Sequence, residues 1–191
     1  MIRAAIRLAA GLALALTCFA AIPAYAGLPS DLFGEGPLID AIRADSTEKV
    51  NAALVDGAQP NQRAADGTPA LVIAVSMNSL EIVTLLVDQN ARIDIASTDG
   101  TTPLTLAAAN GAANIVSFLL EKKADVDKSG ALRETALIKA VRGHHADVVK
   151  ILLEHGADPN ETDQTGNSVL EIARMSGQPA IVEMLKKKGA T

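Results

Sequence analysis

The 191-residue chain has no tryptophan, one tyrosine, one cysteine and three phenylalanines. A single cysteine excludes an intrachain disulfide and a zinc site built on several thiolates. Aromatic residues at 2% leave little for nucleobases to stack on, and a formal net charge of −5 disfavours a phosphate backbone, so nucleic acid is not the expected partner. The anchors of three common chemistries are also missing: no G-x-S-x-G, no G-x-x-x-x-G-K-[ST] and no G-x-G-x-x-G. What remains is 49% hydrophobic and 20% charged, a globular rather than disordered composition.

Part of that apolar content lies at the N-terminus. Arg3 and Arg7 precede an apolar run from Leu8 to Ile22, and Ala24-Tyr25-Ala26 forms a small-x-small cleavage signal before Gly27. This predicts a secretory signal peptide over residues 1–26, followed by a short linker at 27–30. A transmembrane anchor needs about 20 apolar residues, and this run is shorter and stops at Pro23. A lipoprotein signal would want a small residue where Thr17 precedes Cys18 and a large aliphatic one at Ala15. Cleavage removes Arg3, Arg7, Cys18 and Tyr25, taking the formal charge from −5 to −7 and leaving no thiol to act as a nucleophile. Export to a bacterial periplasm, or secretion, is the expectation, with no membrane insertion after cleavage. The 165 residues that follow can bury roughly 70% of their unfolded surface without cross-links.

Those residues repeat every 33 positions. Leucine recurs at 38, 71, 104, 137 and 170; alanine at 41, 74, 107, 140 and 173; valine at 50, 83, 116, 149 and 182; and alanine again at 58, 91, 124, 157 and 190. Five copies follow, at 31–63, 64–96, 97–129, 130–162 and a shortened 163–191. In the third, Thr102 is placed to cap a helix and Pro103 to occupy its first turn, with Leu104, Ala107 and Ala108 at helical spacing until Gly111. Ile115, Val116, Leu119 and Leu120 mark the apolar face of a second helix ending near Lys123, and a hairpin leads to the next copy. Helices stacked this closely need small facing side chains, which explains the alanine. Because each copy buries its neighbour's face, the ends of the stack should turn polar. Lys49 stands in the first copy where Ile82, Ile115 and Val148 stand inside; Arg174 and Lys186 do the same in the last.

The stretches "DGTTPLTLAAANGAANIVSFLL" and "VVKILLEHGADPN" resemble the ankyrin-repeat family pattern D-x-x-G-x-T-P-L-H-x-A-A…I-V…L-L-x-x-G-A-D-x-N, and the resemblance covers residues 31–191. It departs at the histidine after the leucine column, where Ile39, Val72, Thr105, Ile138 and Glu171 stand. The resemblance implies an all-α solenoid whose hairpin tips and first-helix surface form a concave face that binds other proteins, with no catalytic residues and no cofactor. The alternative role for such a module is regulation or inhibition of a periplasmic enzyme or transporter.

Residue by residue, the chemistry-bearing side chains favour structural roles. His144 and His145 precede a second helix and His155 ends it, about 15 Å away at about 1.5 Å per residue, so they cannot share a metal within one chain. Asp66, Asp99, Asp125, Asp127 and Asp158 fall in hairpins, where aspartate bonds its own turn. Lys186, Lys187 and Lys188 form a cation-rich last helical turn. One finger breaks the pattern: Lys123 replaces the helix-ending Gly57, Gly156 and Gly189, and Arg133 replaces the hairpin glycines at 34, 67, 100 and 166. Drift in a tolerant loop would give this, as would a binding site. Lys122, Lys123, Lys128, Arg133 and Arg142 gather there on an acidic chain. The partner-binding residues expected from this are Leu132, Arg133, Arg142 and Met175, the arginines supplying charge toward an acidic protein without being needed for folding. A monomer is expected.

Overall fold

The computed structural model describes residues 35–191. The leader, the linker and the start of the first copy, including Phe33 and Gly34, lie outside the described residues. Ten α-helices follow in pairs: α1 (Pro37–Arg43), α2 (Thr47–Val55), α3 (Ala70–Ser76), α4 (Leu80–Asp88), α5 (Pro103–Ala109), α6 (Ala113–Glu121), α7 (Ala136–Arg142), α8 (Ala146–Glu154), α9 (Val169–Met175) and α10 (Pro179–Lys187). Every odd-numbered helix has seven residues and every even-numbered one nine, and both series start at intervals of 33. Among these residues there is no strand, only two isolated antiparallel bridges at finger bases, Arg63 with Pro69 and Thr162 with Ser168.

The first helices stack on one another in one layer and the second helices in another. The leucine column is buried in all five copies, and Ala74, Ala107, Ala140 and Ala173 are wholly hidden between first helices. An extra methylene here would overpack the layer, at a cost of about 1–3 kcal/mol. Lys49, Arg174 and Lys186 are exposed, so the two ends are solvated as the pattern requires.

Helix ends carry out what the sequence specifies. Thr102 accepts the amide of Thr105, whose hydroxyl accepts the amide of Thr102, and Ser168 and Glu171 form the same reciprocal box. Such a cap contributes about 1 kcal/mol. Thr105 and Glu171 thus close the helix start at the position where the family pattern has histidine, while Ile39, Val72 and Ile138 are buried there instead. Lys123 sits at φ 70°, matching Asn90 at 66° and the glycines of the same column at 90–98°.

The copies are also laced by side-chain bonds. Asn61, Asp94, Asp127 and Asn160, one per repeat, each accept a backbone amide of the next copy: Arg92 at 2.7 Å, Asp125 at 3.2 Å, Asp158 at 3.0 Å and Thr191 at 3.1 Å. Asp66, Asp99, Asp125 and Asp158 bond their own turns as expected. Asp127 does not; its carboxylate reaches across to Asp158, because the stacking brings that amide within range.

Candidate protein-binding surface

The fingers between helix pairs share one tie, in which the first residue's amide donates to the carbonyl four positions on: Ala64 to Thr68, Ser97 to Thr101, Gly130 to Glu134 and Asp163 to Asn167. The tips differ. In the second and third fingers they are Asp66-Gly67 and Asp99-Gly100. The amide of Thr68 lies 2.8 Å from Asp66 Oδ1, and Thr101 gives Asp99 its amide at 3.0 Å and its hydroxyl at 2.9 Å. These bonds hold both carboxyls below their ordinary range. Gly67 needs its freedom twice over: φ is 82°, and a Cβ would lie 2.6 Å from the Thr98 methyl.

In the fourth finger Ala131–Arg133 form a short 3₁₀ turn, with Leu132 at φ 60° and Arg133 at φ 57°. Left-handed backbone at a non-glycine residue costs about 1–2 kcal/mol. The turn presents Leu132, 59% exposed, beside an exposed Arg133 that forms no ion pair among the described residues.

Behind this tip lies a buried charge cluster. Glu134 is 2% exposed and receives both Lys139 and Arg142. Arg142 also reaches Asp163 Oδ2 at 2.6 Å. Asp163 is held down to about 2, first by the hydroxyl of Thr165 at 2.6 Å, then by the amides of Asn167 and Thr165 and by Arg142, against the opposing effect of burial. This corrects the expectation that both arginines are dispensable for folding. Arg142 is a counter-charge of two buried carboxylates, and its removal would leave Asp163 without its cation and Glu134 with Lys139 alone.

Glu134 therefore joins Arg142 to the finger that carries Leu132 and Arg133. Met175, 78% exposed at the end of α9, is not part of that network; it stands in the register that Arg142 holds in α7, one repeat along. Glu134, Lys139 and Asp163 were not singled out from sequence. Glu134 could have been, since it stands where Thr68, Thr101 and Asn167 stand and is followed by cations five and eight positions on.

One other cation of the basic patch has a partner. Lys122 Nζ lies 2.8 Å from Asp88 and 5.4 Å from the Phe118 ring centroid, an arrangement of the second-helix layer. Lys123 and Lys128 are exposed. Two of the three histidines bond backbone carbonyls, His145 Nε2 donating to Ala109 at 2.9 Å and His155 Nδ1 to Ile151 at 2.8 Å, and His144 is exposed. Among the described residues no group of three His, Cys, Asp or Glu is placed to hold a metal, and no helix is long and apolar enough to cross a membrane.

Two layers of paired helices with fingers at a strict 33-residue interval define a helical repeat solenoid. The family pattern described as "Ankyrin repeats (3 copies)" matches residues 38–130 and 126–191, and the chain belongs to the ankyrin-repeat family. Ankyrin repeats generally mediate protein–protein interaction and are generally noncatalytic. No curated protein matches the chain significantly.

Proposed function

We propose that this chain is a noncatalytic binding module of a bacterial cell envelope that engages a partner protein through the fourth finger and the adjoining edge of the first-helix layer. The observation that carries the reading is the exposure of Leu132 directly beside Arg133 at one finger tip, with Met175 one repeat along; Val55, Met77 and Leu80 are exposed as well, but at helix ends rather than at a tip that breaks the repeat. Leu132 is held out on left-handed backbone, and the exposed Arg133 beside it forms no ion pair among the described residues. An apolar anchor next to arginine is the composition that interface hot spots favour, and truncating such an anchor costs about 2 kcal/mol of binding or more. Arg142 contributes by fixing the finger through Glu134 rather than by touching the partner. The residues expected to lead into an export pathway support the compartment, and intact mass of the exported protein tests it: a chain beginning at Gly27 agrees, and one retaining Met1 does not.

The binding test is a double substitution, Leu132→Glu with Met175→Glu, which leaves the charge cluster intact. Immobilised protein is exposed to envelope extract, and the captured species are compared between wild type and variant. A partner retained by wild type and lost by a variant of unchanged helical circular dichroism supports the site. Equal capture by both removes it.

A further inference from the structure

A groove of about 430 Å³ runs between the second and third fingers and across α3 and α5, away from the fourth finger. Its tips are the carboxylates Asp66 and Asp99, its walls include Val72 and Leu106, and Ser97 and Thr98 line its side. Both aspartates are ionised at neutral pH, and the bonds from Thr68 and Thr101 favour that form further. Among the described residues neither forms an ion pair, and the cations that act on them from further off, Arg43 on Asp66 and Lys139 on Asp99, have closer partners. Arg43 is paired with Glu35 at 2.8 Å and Lys139 with Glu134, while Arg63 donates to the carbonyls of Gly67 and Ala96 at 2.7 and 3.0 Å. Asp66 takes the amide of Thr68 on Oδ1, with the Thr68 hydroxyl also acting on the carboxyl, and Ser97 Oγ is shut off from solvent without a partner among the described residues.

Two ionised carboxylates at the rim, hydroxyls beside them and aliphatic walls below match one kind of side chain: a long apolar stem ending in a planar cation. We infer that this groove receives an arginine side chain from an extended segment of a partner protein, its stem against Val72 and Leu106 and its guanidinium between Asp66 and Asp99. Arginine fits better than lysine because five donors in a fixed fork can serve two carboxylates and neighbouring hydroxyls at once. The inference rests on the reading of this chain as a protein-binding module but uses none of the residues of the fourth finger, so each can fail alone.

The experiment titrates the isotope-labelled protein with acetyl-Gly-Arg-Gly-amide, and separately with the lysine and glutamate analogues, following backbone amide shifts. The arginine peptide should move Thr98, Asp99, Thr101 and Leu106 in a saturable way. Asp66→Asn with Asp99→Asn should weaken binding about fivefold, as loss of part-exposed charge pairs does. Asparagine keeps the same turn bond, so the fingers should stay folded, and an unchanged amide spectrum elsewhere checks this. A control removing as much charge from the second-helix layer, Glu121→Gln with Asp147→Asn, should leave affinity unaltered. Shifts scattered over the acidic surface, or equal losses in both double variants, would overturn the site. Equal affinity for the lysine peptide would overturn the choice of arginine while supporting a cation pocket. Preference for the glutamate peptide would overturn both.

Discussion

In the second and third fingers an aspartate bonds its own turn and a glycine takes the left-handed position after it; in the fourth, leucine and arginine both take left-handed backbone, and the charge has moved inward to a buried glutamate. The same helices and the same base tie support both designs. The Asp-Gly tips are stable by local chemistry and leave anionic rims toward solvent. The fourth finger instead relies on cations from the following helix, and what it turns outward is an apolar side chain and a free arginine. Fold and surface are therefore separable in this solenoid: the stacking tolerates either tip, and the tip decides what chemistry the face offers.

The sharpest way to break the comparison is Arg142→Met, which keeps the aliphatic packing and removes the guanidinium. Breaking a buried pair costs 3–5 kcal/mol, and Lys139 remains on Glu134 while Arg142 is partly solvated, so the loss should be about 2 kcal/mol in urea unfolding. A variant as stable as wild type would show that the fourth finger does not depend on this cluster. Next comes Gly67→Ala in the second finger, which adds left-handed strain and crowds the Thr98 methyl; about 1.5 kcal/mol of lost stability is expected from thermal unfolding.

Glycine placed where the pattern departs should act in the opposite sense. Arg133→Gly and Lys123→Gly each relieve left-handed strain and should raise the urea midpoint by the equivalent of about 1 kcal/mol or less. If Arg133→Gly also weakens partner capture, strain and function coincide at that tip.

A further difference is one of acid sensitivity. The carboxyl of Asp163 titrates at about 2 in the folded chain against 3.8 for its ordinary value, so its contribution is fully present above 3.8 and is lost as pH falls through about 2. Urea midpoints measured down that window should fall more steeply for wild type than for Asp163→Asn. Asp66 and Asp99 are lowered in the same direction and remain in both proteins, so they cancel in the difference between the two curves; Glu171, which the Asp163 charge raises, is lowered further in the variant and belongs to the same response. Parallel curves would mean that the fifth finger's carboxylate is not coupled to folding.

The 33-residue interval, the alanine and leucine columns, both helices of each copy and the left-handed backbone at Lys123 were legible in the chain because each follows from local periodicity or from what one residue's backbone must do to end a helix. The exposed tip at Leu132 and Arg133 was legible for the same reason, as a break in a glycine column. The engagement of Arg142 was not. Its partners stand eight positions upstream and 21 downstream, and only the stacking of one repeat on the next brings Glu134 and Asp163 to the same guanidinium. The bond from Asp127 to the amide of Asp158, 31 positions on, was decided the same way. A sequence fixes which residues carry charge and which way a helix faces; whether a charge meets solvent, a partner or its own chain depends on distances between elements, and those exist only once the repeats are packed.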